Sequence, residues 1–345
     1  MTSARSSHGD DLIALCARVG RDRLLVQGGG GNASWKEADT LWVKASGTRL
    51  SEAEEKSIFV PVDLQPVRER LQKGDFSTQP KAADGGSLRP SIETLLHALM
   101  PQKYVLHVHA IDPLALLVGR NPRAVFAAAL PSDIAWCLVD YFKPGADLAQ
   151  AVSEAADDLG AMDAVMLANH GIVVAAETVS ELDKKLARII ECVRQPVQLT
   201  APENSSAASL PAALAEHYAW SKDQDLDVLA WDAAALDTAK TAWVLYPDHA
   251  VFLGPRAVCC PLERLGGEAP ALIEKGPDFI LVEGEGVLVS STATQAAREQ
   301  LLCYADVVVR LRTDSAPVPL ADADVADLLD WDAEKYRQSL AATQL

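Results

Sequence analysis

The sequence predicts a mixed α/β protein, because short apolar runs typical of strands alternate with amphipathic segments typical of helices. The runs Tyr104–Val108 and Ala164–Leu167 have the length and composition of buried strands. Residues 10–20 repeat apolar side chains at helical spacing and predict a helix. A further helix is predicted between Thr178, which opens a capping-box pattern, and Pro196, which cannot continue a helix.

The pattern also predicts two regions joined by a linker. Residues 196–210 are rich in proline, alanine, serine and asparagine, which is typical of a connecting segment. We therefore expect a catalytic domain over residues 1–198 and a smaller α/β region over residues 199–345. In the second region we expect Asp248 and His249 to form a structural loop pair. Strands are predicted there at 243–246, 251–253, 279–282 and 287–289, and a helix at 292–311.

Composition excludes several classes of protein. The chain has 345 residues, of which 49% are hydrophobic, so it can bury a large core. Its net charge of −17 and the absence of a basic patch argue against nucleic-acid binding. Six cysteines without Cys-x-x-Cys spacing indicate reduced, buried thiols. No signal core and no membrane-length apolar run are present, so we expect no membrane partner and a cytoplasmic location.

Three histidines are the most informative feature of the chain. His107 and His109 are two residues apart at the end of a predicted strand, so both side chains point to one face. His170 follows another predicted strand, and a neighbouring strand can bring it to the same place. Three neutral imidazoles with an open fourth position are typical of a catalytic site for zinc or a similar divalent ion. Two core histidines and an unrelated turn histidine are the alternative.

A carboxylate lies shortly before the histidine pair. Pro90 and Ser91 predict the start of a helix, which places Glu93 in its first turn. A carboxylate beside an open metal site can bind the metal or act as a base on a bound substrate. A solvated glutamate near a helix N-terminus is the alternative. His97 shares a helix face with Glu93 and is interpreted as a packed, hydrogen-bonded histidine.

A run of four glycines at residues 28–31 precedes Asn32. Without side chains, these residues let backbone N–H groups turn toward an anion. Ser46 adds a donor nearby, and Lys44 and Arg49 add positive charge. This pattern predicts a cradle for phosphate or carboxylate, with a glycine-rich hairpin as the alternative. It is not a dinucleotide fingerprint, because no helical pattern follows it.

These motifs occur in a characteristic order: Gly-Gly-Asn-x-Ser, Lys-x-Ser-Gly, Pro-Ser-x-Glu, His-x-His and Asn-His-Gly. In this order, over residues 10–195, the chain resembles the class II aldolase/adducin family. That family includes fuculose-phosphate and rhamnulose-phosphate aldolases, a ribulose-phosphate 4-epimerase and a methylthioribulose-phosphate dehydratase. The residues in and around these motifs resemble in particular the aldolase half of bifunctional rhamnulose-1-phosphate aldolase/dehydrogenase proteins. Their dehydrogenase half is expected to be absent here.

The resemblance implies a three-layer α/β/α sandwich around a largely antiparallel sheet. It assigns one divalent metal per subunit to the three histidines, and acid/base catalysis to Glu93. The reaction implied is aldol cleavage or formation in a small phosphorylated ketose or related hydroxy-keto compound, through a metal-stabilised enediolate. Zinc is expected because three imidazoles suit it, with manganese, iron, cobalt and nickel left open. Positions that bind substrate phosphate in relatives correspond here to Asn32, Ser46, Gly47 and Ser91.

The chain departs from the family pattern at two points. Ile92 stands where sugar-phosphate aldolases often have a second serine, so one phosphate donor is missing. A proton-donating tyrosine from a neighbouring subunit cannot be placed in the sequence. An epimerase, a dehydratase or a non-catalytic adducin-like interaction protein therefore stay open, whereas an oxidoreductase is disfavoured. Relatives form tetramers, so we expect a homo-oligomer that binds a small anionic substrate.

Overall fold

In the computed structural model, seven strands of the N-terminal half form one sheet with the order β3-β2-β1-β4-β7-β6-β5. The structure describes residues 7–77, 79–155, 158–197, 209–311 and 316–342. Only β5 and β6 run parallel, and every other neighbouring pair is antiparallel. The strands are β1 (Asn32–Glu37), β2 (Thr40–Lys44), β3 (Phe59–Asp63), β4 (Tyr104–Val108), β5 (Trp136–Val139), β6 (Ala164–Leu167) and β7 (Gly171–Ala176).

Helices cover both faces of this sheet. On one face, the helix residues Leu12 and Leu186 belong to one buried cluster with Leu106 of β4. On the other face, the helix residues Leu96 and Leu148 belong to a second buried cluster with strand residues. The first face holds α1, α4, α5 and α7, and the second holds α2, α3 and α6. The three-layer α/β/α prediction is therefore confirmed. The helices are α1 (Ser7–Arg21), α2 (Leu64–Gln72), α3 (Thr94–Leu99), α4 (Ile111–Leu117), α5 (Pro122–Ala129), α6 (Ala146–Ala155) and α7 (Val179–Val193).

The C-terminal region is a second α/β unit built on a four-stranded sheet. Its strand order is β8-β11-β10-β9, in which only β9 and β10 are parallel. The strands are β8 (Tyr218–Trp220), β9 (Cys259–Pro261), β10 (Phe279–Glu283) and β11 (Gly286–Ser290). The helices are α8 (Ala212–Ala215), α9 (Gln224–Trp231), α10 (Ala233–Thr241), α11 (Pro247–Leu253), α12 (Leu262–Lys275), α13 (Gln295–Val308), α14 (Asp322–Leu329) and α15 (Asp332–Ala342).

Helix α4 joins the two regions through one shared apolar core. Ile111, Leu114 and Val118 belong to the same buried cluster as Leu245 and Tyr304 of the C-terminal region. Burial of side chains of this size contributes roughly 1.5–3 kcal/mol each, so the contact is a strong one. It places α11 beside the carboxyl end of β4, where the histidine pair lies.

Most predicted elements are confirmed, including β4 and β6 with the bounds expected from the sequence. The Thr178 hydroxyl accepts a hydrogen bond from the Glu181 N–H at the start of α7, as the capping pattern predicts. Helix α3 begins at Thr94, three residues after the predicted start, with Glu93 at its N-cap. The six cysteines are free thiols. No described helix is long and apolar enough to cross a membrane.

Two predicted strands are wrong. Residues 243–246 form an extended connection without strand pairing, and residues 251–253 belong to α11. Pro247 at the first helical turn presets the backbone for a helix, so Asp248 and His249 are helical and do not form a loop. The apolar run reflects burial against α13, because a buried run of this length does not distinguish strand from helix. The domain boundary at residue 198 and most of the predicted linker lie outside the described residues.

Candidate metal centre and its surroundings

The three predicted histidines converge on one buried point. His107 ends β4, His109 follows it, and His170 lies in the turn before β7, the strand that pairs with β4. Each of the three is at most 4% exposed, and their ligand atoms lie within 4.8 Å of one another. Asn169, at a left-handed φ of 51°, turns the chain so that His170 faces the pair. The spacing inferred from the strand pattern therefore produces a cluster.

Distances within the cluster fit a divalent ion held by nitrogen. The Nε2 atoms of His107 and His109 are 3.1 Å apart. Two ligands about 2.0–2.1 Å from a tetrahedral zinc are separated by about 3.3 Å, close to this value. The Nδ1 atom of His107 lies 3.0 Å from the Ile172 carbonyl oxygen, which orients the ring with Nε2 toward the cluster. Nδ1 of His109 and of His170 are buried without a hydrogen-bond partner, as is Oε1 of Glu93.

Two of the three histidines hold the neutral form that metal ligands need. Burial, followed by the neighbouring His107, lowers the pKa of His109 well below its ordinary value. Burial lowers the pKa of His170 to about 4, although Glu93 opposes this shift. Because a neutral imidazole carries a free lone pair, His109 and His170 can accept a cation without first losing a proton.

Glu93 stands against two of the three histidines. Its Oε2 is 3.5 Å from Nε2 of His107, and its Oε1 is 3.6 Å from Nε2 of His170. Burial raises the pKa of Glu93, but the histidines and the hydrogen bond from Asn32 outweigh it and lower the pKa to about 2. An ionised carboxylate at this position can complete the coordination of a metal or accept a proton from a bound substrate.

A chain of hydrogen bonds holds Glu93 in place. The Asn32 side-chain amide donates to Glu93 Oε2 at 2.7 Å. The Oδ1 atom of Asn32 accepts from His97 Nε2, and His97 Nδ1 lies 2.7 Å from the Ser34 hydroxyl. Since Oδ1 can only accept, His97 carries its proton on Nε2 and accepts the Ser34 O–H at Nδ1. The packed, hydrogen-bonded interpretation of His97 therefore agrees with the structure.

The glycine run bends around the end of β4. Gly31 has a left-handed φ of 61°, and a Cβ there would lie 2.9 Å from the His107 carbonyl oxygen, so a side chain is excluded. The Lys44 ammonium donates to the carbonyls of Gly29 and Thr48 and so braces this loop. Burial, and then the nearby Arg337, lowers the pKa of Lys44 to about 7.

The predicted anion-binding residues line one cavity with Glu93 and two of the histidines. The cavity holds about 30 Å³, enough for one or two water molecules. Leu340 of α15 lies against Gly47, since a Cβ added at Gly47 would meet the Leu340 side chain at 2.4 Å. The lining includes all four predicted residues, Asn32, Ser46, Gly47 and Ser91.

Two arginines near the cradle, Arg49 and Arg89, contact residues of the C-terminal region. The Arg49 guanidinium forms a 2.8 Å ion pair with Glu299 of α13. The Arg89 guanidinium lies over the Tyr336 ring, 4.3 Å from its centroid. Both contacts tie the aldolase half to the C-terminal region.

The C-terminal region supplies charged residues that sequence analysis did not assign to the site. Asp248 of α11 and Arg337 of α15 both line the cavity. Arg337 Nη1 and Nη2 donate to the two carboxylate oxygens of Asp248 at 2.8 and 3.1 Å, and Nη1 also donates to Glu334. The Asp248 side chain is 2% exposed. Sequence analysis gave Asp248 only a structural role and gave Arg337 none.

Fold and site together define an α/β protein with a buried cluster of three histidines that could hold a metal ion. A model of the class II aldolase and adducin N-terminal domain matches residues 10–195, just over half of the chain. The chain belongs to this family. The matched range contains all eight predicted site residues, whereas Asp248 and Arg337 lie beyond it.

Known proteins resemble the same half of the chain. A protein of Bacillus subtilis (strain 168) named uncharacterized oxidoreductase YuxG is 29% identical over 201 residues, covering 54% of this chain. The chain spans only 29% of the length of that relative. A class II aldolase domain from Thermoplasma acidophilum is 24% identical with a TM-score of 0.44, covering 56% of this chain and 94% of its own. An L-fuculose 1-phosphate aldolase is 18% identical with a TM-score of 0.41, covering 55% and 85% respectively.

Proposed function

We propose that this protein is a metal-dependent aldehyde-lyase, a class II aldolase that cleaves or forms a C–C bond in a small phosphorylated ketose or related hydroxy-keto compound. The observation that carries the proposal is the convergence of His107, His109 and His170 with Glu93 in one buried cavity. A binding module has no need of three buried imidazoles beside an ionised carboxylate. Family membership over residues 10–195 supports the same chemistry.

Each residue has a role that follows from its contacts. The three histidines would hold one divalent ion, for which zinc suits three imidazoles. When bound, the ion supplies Lewis-acid polarisation of substrate oxygens. Glu93 would move a proton to or from the substrate carbon beside the carbonyl, and Asn32 would keep its carboxylate aimed at that carbon. Ser46, Gly47 and Ser91 would contact the anionic group of the substrate.

We also propose that the chain acts as a cytoplasmic homo-oligomer, a tetramer as the family resemblance implies. Light scattering coupled to size-exclusion chromatography measures the assembly directly. The name of the Bacillus subtilis relative describes a protein more than three times as long as the matched segment, so it assigns no redox activity to this half.

The test uses the purified protein loaded in turn with zinc, manganese and cobalt. Phosphorylated ketoses and hydroxy-keto acids are screened for release of an aldehyde, with the products identified by mass spectrometry. We expect metal-dependent cleavage, lost by at least a hundredfold in Glu93→Gln because one proton-transfer group is removed. Glu283→Gln is the matched control, since Glu283 pairs with Lys240 in the C-terminal region, outside the cavity.

Three outcomes would contradict the proposal. Full turnover by Glu93→Gln would remove Glu93 from the chemistry. Isomerised or dehydrated products without cleavage would replace the lyase with an epimerase or dehydratase. A protein that binds none of the three metals and converts no substrate would favour a non-catalytic adducin-like role.

A further inference from the structure

Two nitrogens of the histidine cluster, Nδ1 of His109 and of His170, have no hydrogen-bond partner among the described residues, and that of His109 faces a carboxylate. The Nδ1 atom of His109 is buried and makes no hydrogen bond, whereas Nδ1 of His107 has the Ile172 carbonyl. A histidine that binds metal through Nε2 carries its proton on Nδ1, and that N–H needs an acceptor to fix the ring and raise its basicity. For His109 a carboxylate that could accept this hydrogen lies outside the matched family domain.

Asp248 is the carboxylate that faces this nitrogen. Its Oδ2 lies 3.7 Å from His109 Nδ1, slightly beyond hydrogen-bond length. Gly30 lies against both groups, since a Cβ added there would lie 3.0 Å from His109 Nδ1 and 3.1 Å from Asp248 Oδ2. A glycine at position 30 is therefore what allows the imidazole and the carboxylate to approach each other.

Hydrogen bonds from Arg337 and Gln300 hold the Asp248 carboxylate in place. Arg337 donates to both of its oxygens, and the Gln300 amide approaches Oδ2 at 3.4 Å. On the other side of His109, the Tyr246 ring packs edge-on with its centroid 5.1 Å away. A carboxylate fixed by a two-pronged arginine contact beside a packed imidazole has the arrangement of an outer-shell partner of a metal ligand.

We infer that Asp248 is a positioning residue of the metal centre: it accepts the Nδ1–H of His109 and so orients this ligand, while Arg337 fixes Asp248. The C-terminal region thereby completes a site whose metal ligands all come from the aldolase domain. The inference rests on the metal site proposed above and adds a requirement for residues 248 and 337, which lie outside the range that defines the family.

The experiment measures metal affinity by chelator competition in the full-length protein, together with the visible spectrum of the cobalt form. We expect affinity to fall in the order wild type, Asp248→Asn, Asp248→Ala, with the alanine variant 10- to 100-fold weaker. The asparagine variant is intermediate because its amide oxygen still accepts a hydrogen bond but lacks the charge. The cobalt spectrum should change as well, since the orientation of His109 is altered.

Asp306→Asn is the matched control. Asp306 is a buried carboxylate of the same region, 6% exposed and paired with Arg23 and Arg310, and it does not line the cavity. Its variant should keep the wild-type affinity and cobalt spectrum even if it loses stability. Gly30→Ala gives a second test, because its methyl group would separate His109 from Asp248 and should also weaken metal binding.

The outcomes separate this inference from the proposed function. If the wild type binds metal and both Asp248 variants bind it with equal affinity and an unchanged cobalt spectrum, the positioning role is wrong and the three-histidine site stands. If the wild type binds no metal, the proposed function fails and this inference fails with it. A loss of stability without a change in affinity or spectrum would mean that Asp248 only supports the fold.

Discussion

The same substitution at two fully buried histidines should change the free energy of unfolding by very different amounts. His97 and His249 are both 0% exposed. His97 is bonded through both ring nitrogens, to Asn32 and to Ser34, whereas neither nitrogen of His249 has a hydrogen-bond partner. We predict that His97→Phe is strongly destabilising and that His249→Phe is nearly neutral.

The magnitude follows from what each change leaves behind. In His97→Phe, the Ser34 hydroxyl and the Asn32 carbonyl oxygen lose their partners in a site without access to solvent. Each buried unsatisfied group costs about 1–3 kcal/mol, so the free energy of unfolding should fall by about 2–6 kcal/mol. In His249→Phe no hydrogen bond is lost and an unpaired polar ring is removed, so the change should stay within about 1 kcal/mol apart from small packing effects.

Urea unfolding at neutral pH, followed by tryptophan fluorescence, measures both values. The double variant Ser34→Ala/His97→Phe provides an internal check. It removes the stranded hydroxyl and should recover about 1–3 kcal/mol relative to His97→Phe alone. Activity should fall in His97→Phe as well, because Asn32 would no longer be held in the orientation that aims Glu93.

Equal free energies of unfolding for the two single variants would refute this reasoning. So would a double variant that is less stable than His97→Phe, because the Ser34 hydroxyl would then have a partner other than His97.

Two further predictions concern stability. Burial, and then the nearby Arg68, lowers the pKa of Lys36 from 10.5 to about 7, so the unfolded chain holds the proton that the folded chain loses between these values. The free energy of unfolding should therefore rise with pH above about 7. In Lys36→Met the slope of that free energy against pH should be smaller by up to about 1.4 kcal/mol per pH unit, measured by urea unfolding at several pH values. Identical slopes for the two proteins would be inconsistent with a neutral buried amine. A Cβ at Gly20 would lie 2.2 Å from the Ser51 backbone nitrogen, whereas a Cβ at Gly267 in α12 meets nothing within 4 Å. Gly20→Ala should lower the free energy of unfolding by about 2 kcal/mol. Gly267→Ala should raise it by about 0.5–1 kcal/mol. Thermal melts in which Gly20→Ala is the more stable variant would contradict the close contact at Gly20.

The first half of the chain could be predicted well because its signals are local. A buried strand such as β4 needs only a short apolar run, and its direction places His107 and His109 together without knowledge of the rest of the fold. The third histidine required one further step, that a neighbouring strand bring it to the pair; in the structure β7, which follows His170, pairs with β4. The expectation of a single cluster followed from these two facts.

The second half was harder because burial imitates strand character. The apolar residues Val244 and Leu245 are buried in the same cluster as residues of α13 and α4. Their run pairs with no strand among the described residues. Pro247 is a local signal for a helix start that the strand prediction did not use. Secondary structure in such runs depends on the tertiary contacts that surround them.

The parts of the site that sequence analysis missed depend on long-range contacts. Arg337 meets Asp248 across 89 positions of the chain, and no spacing pattern marks such a pair. Asn32 shows a related difficulty: its amide was interpreted as a donor to phosphate, while in the structure it donates to Glu93. Its role toward a substrate anion stays a prediction.

The proposed function requires that His107, His109 and His170 hold a divalent metal. X-ray absorption at the zinc edge, on protein reconstituted with one equivalent of zinc per chain, measures the ligands directly. We predict three imidazole nitrogens at about 2.0–2.1 Å together with oxygen, and loss of one imidazole in His170→Ala. Sulfur at about 2.3 Å, or an unchanged spectrum in His170→Ala, would contradict the claim.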